Sequence, residues 1–169
     1  MEIPFTFSRS LAAEQFRTCQ AEASLQHNLS HWLSRKPHLK NYHELPYDLQ
    51  EEKKYQGIIS IPLDEITGSL GRADDFDAQF RPLKKHLRER WVNVALIWQN
   101  RGWDAIQVLK VGGEFYVVDG HHRVSVAKAL GLSFIDAEVW EQSARLSASE
   151  KSIFPESTRW AQNQEECYC

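Results

Sequence analysis

The chain has 169 residues, of which 42% are hydrophobic and 25% charged, and its formal net charge at pH 7 is -3. This composition is typical of a globular protein whose core is large enough to form without disulfides or a structural metal. The mildly acidic balance argues against a general nucleic-acid binder, which would carry a strongly basic surface. We therefore do not expect nucleic acid as a partner.

The sequence shows no segment that predicts secretion or membrane insertion. The first residues lack a basic run followed by an apolar stretch, and no later segment approaches the roughly 18 consecutive apolar residues of a membrane span. Cys19 stands alone, and Cys167 and Cys169 lie close together, which is not the spacing of a disulfide framework. We expect a cytoplasmic protein without a membrane partner.

The first predicted elements are helical. Residues 11–35 contain neither Gly nor Pro, and apolar residues recur there at intervals that predict one or two amphipathic helices. Lys36-Pro37 ends this pattern, and the polar stretch to Tyr55 reads as a connector. We assign residues 1–55 to an N-terminal helical extension and connector, which packs on the main domain or mediates homo-oligomer formation. The predicted apolar positions are Leu11, Phe16, Cys19, Ala23, Leu25, Leu29, Trp32 and Leu33.

Short apolar runs separated by turn residues follow, and they predict a compact mixed α/β domain over residues 56–141. We assign residues 142–169 to a C-terminal tail. The first strand of the domain is predicted over residues 58–62.

A long helix is the next predicted element. It should begin near Pro82, because proline is favoured in the first turn, and end at Gly102. Asp77 is a candidate for its N-terminal cap. The apolar stripe of this helix comprises Leu83, Leu87, Trp91, Val94, Ala95 and Trp98.

A hairpin and a third helix complete the predicted domain. Residues 106–111 and 115–118 favour strands, and the Gly112-Gly113 pair between them tolerates the positive φ of a tight turn. The second strand runs into Asp119-Gly120, after which a helix is predicted to bury Val124, Ala127 and Leu130 and to stop at Gly131.

The start of this third helix carries the main candidate site. Free N–H groups and the positive end of the helix dipole favour an anion such as phosphate, and His121, His122 and Arg123 lie beside them. Gly120 permits close approach of the backbone to a ligand, because it has no β-carbon. Asp119 could cap the helix or hold a divalent cation.

These motifs resemble a known superfamily. A strand, the segment Gly-Arg-Ala-Asp-Asp-Phe-Asp at 71–77, a helix, a hairpin, Asp-Gly-His-His-Arg at 119–123 and a following Ala-x-x-Leu-Gly are similar to the ParB N-terminal and sulfiredoxin superfamily. The resemblance covers residues 57–140 and implies a ParB/sulfiredoxin-like domain that carries the helical extension. The Asp-Gly-His-His-Arg form is similar to the ParB-like free serine kinases, which transfer phosphate from a nucleoside di- or triphosphate.

The resemblance also implies ligands. ParB proper uses a related loop to bind CTP, and sulfiredoxin binds ATP, so the expected ligands are Mg²⁺ with ATP, ADP or CTP. Arg72 then lies near the nucleotide, where a guanidinium suits phosphate oxygens, although a surface loop arginine is the alternative. Asp74, Asp75 and Asp77 either hold Mg²⁺ or serve as a helix cap and solvated side chains.

Two departures from the superfamily limit the activity. His121 stands where sulfiredoxin has its reactive cysteine, so its thiolate chemistry is not expected. The serine kinases place a catalytic Glu shortly after the first strand, and residues 66–72 contain none. A base would have to come from Glu65, Asp74, Asp75 or Asp77.

The leading hypothesis is nucleotide binding with phosphotransfer to a small hydroxyl substrate. Asp119 and His122 are the predicted catalytic residues, and Asp119 is also the predicted metal ligand. One alternative is a non-catalytic nucleotide-sensing regulatory module that signals through the helical extension. Another is a metal-dependent nuclease built on Asp119, His121 and His122. The predicted nucleotide and phosphate ligands are Gly71, Arg72, Gly120, His121, His122 and Arg123.

Overall fold

The computed structural model describes residues 8–32, 39–45 and 47–146, and in them three helices pack with one mixed six-stranded sheet. The sheet order is β1-β3-β5-β4-β6-β2, and the mixed α/β class predicted from the sequence is confirmed. The helices are α1 (Arg9–Trp32), α2 (Arg88–Arg101) and α3 (His121–Ala129). The strands are β1 (Lys40–Asn41), β2 (Tyr47–Pro62), β3 (Ile66–Ser69), β4 (Ile106–Val111), β5 (Glu114–Asp119) and β6 (Phe134–Leu146).

The main core lies between the helices and one face of the sheet. It is centred on fully buried aromatic side chains, and the ring of Phe16 on α1 packs against that of Trp91 on α2 with centroids 5.8 Å apart. A smaller cluster of Leu109, Val111 and Tyr116 lies on the opposite face of the sheet. The strands therefore have apolar side chains on both faces near the middle of the sheet.

The N-terminal helix is confirmed as one continuous element. Ala12, Phe16, Cys19 and Ala23 form its buried stripe, whereas Leu25, predicted to lie on that stripe, is 64% exposed. The prediction for Leu25 is wrong, because its side chain faces solvent and does not pack in the core. The side chains of Leu29, Trp32 and Leu33 lie outside the described residues.

Residues 47–55 are not a connector but the first half of β2. These residues form a strand despite their polar composition, because their backbone groups pair with β6 in the antiparallel direction. A strand at the edge of an antiparallel sheet can have polar side chains on its solvent face. The same pairing extends β6 to Leu146, past the predicted limit at residue 141. A bulge at Gly57, with φ 100°, adjusts the register beside Tyr55. The domain limits themselves stay predictions.

The long helix begins at Arg88 and not near Pro82, while its predicted end at Gly102 is confirmed. Asp77 does not cap it. Its carboxylate instead accepts hydrogen bonds from the backbone N–H groups of Gln79 and Arg81, at 2.9 and 2.8 Å, and from Nε of Arg81 at 2.8 Å. These bonds fix a loop before the helix, so the helix starts later than the proline suggests.

The predicted hairpin of β4 and β5 and the third helix are confirmed. The parallel pairing of β3 with β5 decides where the candidate site forms, because Ser69 pairs with Val117 and the two strands end side by side. The loop after β3 and the start of α3 therefore meet at one edge of the sheet. Within the described residues, none of the helices has the length and apolarity that a membrane crossing requires.

Candidate functional site

A cavity of about 310 Å³ lies at this edge of the sheet. Three elements form its walls: the loop after β3, the β5 to α3 junction, and the first turns of α2. The structure thus places every predicted phosphate ligand around one space. The lining residues are Gly71, Arg72, Arg90, Val94, Val118, Asp119, Gly120, His121, His122 and Arg123.

Buried Ser69 connects the two halves of the site. Its Oγ accepts hydrogen bonds from the backbone N–H groups of Gly71 and Arg72, at 3.2 and 2.8 Å, and lies 2.7 Å from Nε2 of His121. Because two N–H donors occupy the lone pairs of Oγ, its proton is directed at Nε2 of His121. This bond makes Nε2 the acceptor and places the proton of the neutral ring on Nδ1.

Burial, assisted by the charge of Arg72, lowers the pKa of His121 to about 4. The ring is therefore neutral at pH 7, which agrees with the proton arrangement at Ser69. It also stacks on Phe76, with centroids 6.2 Å apart and planes 16° from parallel. His121 is held by one polar and one aromatic contact.

His122 is the second buried imidazole of the cavity wall, and it is 5% exposed. Its ring meets Phe76 edge to face at 5.5 Å, and its Nε2 has no hydrogen-bond partner among the described residues. Burial lowers the pKa of His122 to about 4, assisted by the charges of Arg90 and Arg72. A buried polar atom without a partner is costly, and this nitrogen is itself shielded from solvent.

Arg123 has a largely internal role. Its Nη1 donates to the backbone carbonyls of Asp104 and Ala105 at 2.7 and 3.0 Å, and its Nη2 donates to Oδ2 of Asp119 at 2.6 Å. Three of its five N–H groups are thereby used within the protein. Arg123 fixes the junction and leaves fewer donors for phosphate than the motif suggests.

Arg72 and Arg90 supply the freer positive charge. Arg72 lies 3.5 Å from a carboxylate oxygen of Asp75, and no described side chain forms an ion pair with Arg90. Both charges lower the pKa of His122, whose ring belongs to the same cavity wall. The sequence did not single out Arg90, because it lies on the polar side of a helix, outside every motif, and reaches the site only through the packing of α2.

Three of the acidic residues that the sequence offered as bases or metal ligands, Asp75, Asp77 and Asp119, form ion pairs with cationic side chains. Asp75 bonds Lys84 at 2.8 Å, and Asp77 bonds Arg81. Within the described part of the chain, no group of three or more His, Cys, Asp or Glu side chains is placed to hold a metal. Among the described residues, Asp119 is the one carboxylate in the cavity wall, and Arg123 binds it.

Ser69→Ala should lower the free energy of unfolding by about 1–3 kcal/mol, because it leaves two half-buried N–H groups and the buried His121 ring without their partner. Urea denaturation measures the change. Ser60→Ala, at an exposed position of β2, is the matched control and should stay within about 0.5 kcal/mol of the parent. Equal effects of the two substitutions would contradict the bridging role of Ser69.

Comparison with known proteins gives limited similarity. No protein-family model matches the chain, and no curated protein matches it. Among solved structures, the chain is similar to the crystal structure of sulfiredoxin from Arabidopsis thaliana, with 23% sequence identity over 51% of this chain and 86% of that chain. The TM-score is 0.40. The mixed α/β architecture is established by the chain's own sheet and helices, and the comparison adds no activity to it.

Proposed function

We propose that the 310 Å³ cavity binds the phosphate groups of a nucleotide, with ATP, ADP and CTP as the candidate ligands. The observation that carries the proposal is the meeting of Arg72, Arg90 and the start of α3 around one space. Each of these features suits an anion with several oxygens, and together they would contact more than one phosphate.

The backbone contributes donors to this proposal. The first helical hydrogen bond of α3 runs from the N–H of Val124 to the carbonyl of Gly120 at 3.0 Å. The N–H groups of His121, His122 and Arg123 precede it and belong to the first turn, where N–H groups lack helical acceptors. A phosphate at this position would also meet the positive end of the helix dipole.

Arg90→Ala should weaken nucleotide binding about 10- to 100-fold, because it removes a charge-assisted contact whose donor has no described internal partner. Calorimetric titration with ATP, ADP and CTP in the presence of Mg²⁺ measures the affinity. Arg101→Ala is the matched control on the same helix, and its affinity should equal that of the parent. The proposal is wrong if the parent binds none of the three nucleotides, or if both variants bind equally well.

Phosphotransfer to a small hydroxyl compound is the activity we propose for this site. The substrate oxygen would attack the terminal phosphorus, the bridging P–O bond would break, and the nucleotide would leave one phosphate shorter. In this proposal Asp119 takes the hydroxyl proton, because it contributes a carboxylate to the cavity wall. A histidine with a pKa of about 4 is a weak base at neutral pH, so His122 would hydrogen-bond the transferring group instead.

Mg²⁺ enters this proposal as part of the nucleotide complex. The described residues offer no group of three metal-ligating side chains, and the Asp119 carboxylate is shared with Arg123. Asp119 could therefore contribute one oxygen to a cation that the phosphates already hold. No observation favours the nuclease alternative over the other two hypotheses.

A nucleotide sensor is the second candidate function, and the ion pair between Asp119 and Arg123 favours it. Oδ2 of Asp119 is already occupied by Nη2 of Arg123 at 2.6 Å, which leaves it less available to a substrate hydroxyl. Such a module would bind nucleotide without turnover. Self-association through the N-terminal helix stays a prediction for either function.

Asp119→Asn separates the two candidates. If the protein is a kinase, phosphate release or transfer that depends on an added acceptor, tested with a panel including free serine, should fall at least about 100-fold in this variant while nucleotide still binds. If the protein is a sensor, the parent itself should bind nucleotide and show no acceptor-dependent turnover. Parent-level turnover in Asp119→Asn would contradict the role of Asp119.

A further inference from the structure

We infer that a second cavity, built from aromatic and acidic side chains, binds an organic cation the size of a trimethylammonium group. This cavity has a volume of about 160 Å³ and lies between the carboxyl end of α2 and the start of β6. It is separate from the proposed nucleotide cavity and shares no lining residue with it. Its walls include Ser60, Trp98, Trp103, Asp104, Phe134 and Asp136.

The aromatic part of the wall is held in place yet open to solvent. The rings of Trp98 and Trp103 have centroids 4.5 Å apart, and Nε1 of Trp103 donates to the backbone carbonyl of Val94 at 2.9 Å. Trp98 is 38% exposed and Phe134 is 58% exposed. Exposed aromatic surface grouped around a cavity is typical of an interaction site. Their negative π faces attract cations.

The polar part of the wall is acidic. Neither the Asp104 nor the Asp136 carboxylate has a hydrogen-bond or ion-pair partner among the described side chains. Asp136 lies opposite Ser60 in the pairing of β2 with β6, so both side chains lie on the same face of the sheet. Arg123 touches the backbone carbonyl of Asp104, but its charge is matched by Asp119. The cavity therefore favours positive charge, whereas the proposed nucleotide cavity favours negative charge.

The combination of aromatic and acidic residues in the cavity wall determines which class of cation fits. A hard metal ion requires several oxygen ligands, and this cavity supplies two carboxylates and one hydroxyl beside apolar rings. A quaternary ammonium group is weakly hydrated, needs no hydrogen-bond acceptor and gains from contact with both π faces and carboxylates. The same group occurs in free choline-like molecules and in trimethylated lysine side chains, and both share the chemistry that we propose.

Calorimetric titration of the whole chain with choline and with its uncharged isostere 3,3-dimethylbutanol tests the charge requirement. We expect choline to bind and the isostere to bind at least about 10-fold more weakly, because only the cation gains from the rings and carboxylates. Titration at matched ionic strength removes any general salt effect. The inference would be overturned if neither choline nor a trimethyllysine peptide bound. It would also be overturned if choline and its isostere bound equally well.

Variants locate the binding to this cavity. Trp98→Ala should weaken choline binding about 10-fold, while Trp140→Ala, a tryptophan 39% exposed outside the cavity, should leave it unchanged. The Asp104→Asn/Asp136→Asn double variant, which conserves size at two exposed positions, should weaken binding about 5-fold even if Trp98→Ala fails to fold. Equal affinities of the Asp variant and the parent would overturn the acidic part of the site.

A peptide carrying trimethyllysine, compared with its unmodified form and with choline, distinguishes the two sources. Tighter binding of the modified peptide would identify a methylated protein as the source of the cation. Tighter binding of choline would identify a small metabolite. Either result supports the shared chemistry, and preference for the unmodified peptide would overturn it.

Discussion

Gly120→Ala is expected to lower the free energy of unfolding by about 2–5 kcal/mol. Gly120 has a φ of 101°, where a side chain adds backbone strain. An added β-carbon would also lie 2.5 Å from Cγ2 and 2.8 Å from Cβ of Ile106, a fully buried residue of β4. The core must shift to admit it, because Ile106 is branched at the contact and cannot swing away.

Gly113→Ala is the matched control for this substitution. Gly113 has a φ of 87° in the hairpin turn, but an added β-carbon there would meet no atom within 4 Å. It should therefore cost only the strain, about 1–2 kcal/mol. Urea denaturation of both variants isolates the contact with Ile106, and equal losses would show that this contact is unimportant.

The structure gives a second reason for a glycine at position 120, beside the ligand approach that the motif predicts. The sequence predicted close approach of the backbone to a ligand, and the structure places the side chain of Ile106 against that backbone. An added β-carbon would also lie 3.1 Å from Nε of Arg123. Gly120 thus allows the strand-to-helix junction to sit directly on the core, which fixes the direction of the helix start.

Local patterns predicted the elements of the site, and long-range packing assembled it. The hairpin and α3 follow from turn residues and apolar spacing. The sequence was therefore sufficient to predict that α3 starts at His121 and ends before Gly131. The parallel pairing of β3 with β5 brings Ser69 beside His121, which lies 52 residues later in the chain, and it leaves no local signal in the sequence. The same holds for Arg90, whose position depends on the packing of α2 and α3.

The internal bonds of Arg123 and Asp77 are a second feature that the sequence motifs did not predict. Both residue types were interpreted by their most common use, phosphate binding for Arg123 and helix capping for Asp77. In the structure each is engaged by nearby backbone groups, carbonyls for Arg123 and N–H groups for Asp77. Which of these uses a charged side chain adopts depends on loop geometry that spacing does not encode.

Stability should fall as the pH is lowered from about 6.5 towards 4, by about 3 kcal/mol for each of His121 and His122. The pKa of each is lowered from 6.5 to about 4 in the folded protein, mainly by burial. Between these two values the unfolded chain binds more protons than the folded one, so protonation favours unfolding. The stabilising contribution is complete above pH 6.5 and is lost progressively below it.

Urea denaturation at pH 7, 6 and 5 measures this loss in a range where few other groups contribute. The carboxyl groups of Asp75 and Glu114 also have lowered pKa values, because Lys84 and Lys40 outweigh the effect of burial. Their stabilising contribution is lost only as pH falls below the ordinary carboxyl values near 4, under the range of the experiment. The slope between pH 7 and 5 therefore reports the two imidazoles.

His122→Asn should reduce that slope by about half, because it removes one of the two titrating rings from the cavity wall. His86→Asn, at an exposed position before α2, is the control and should leave the slope unchanged. A phosphate-bearing ligand bound beside the imidazoles would stabilise their protonated form, so saturating nucleotide should flatten the same slope. A slope that responds to His122→Asn but not to nucleotide would place the ligand away from this wall, even if calorimetry detects binding.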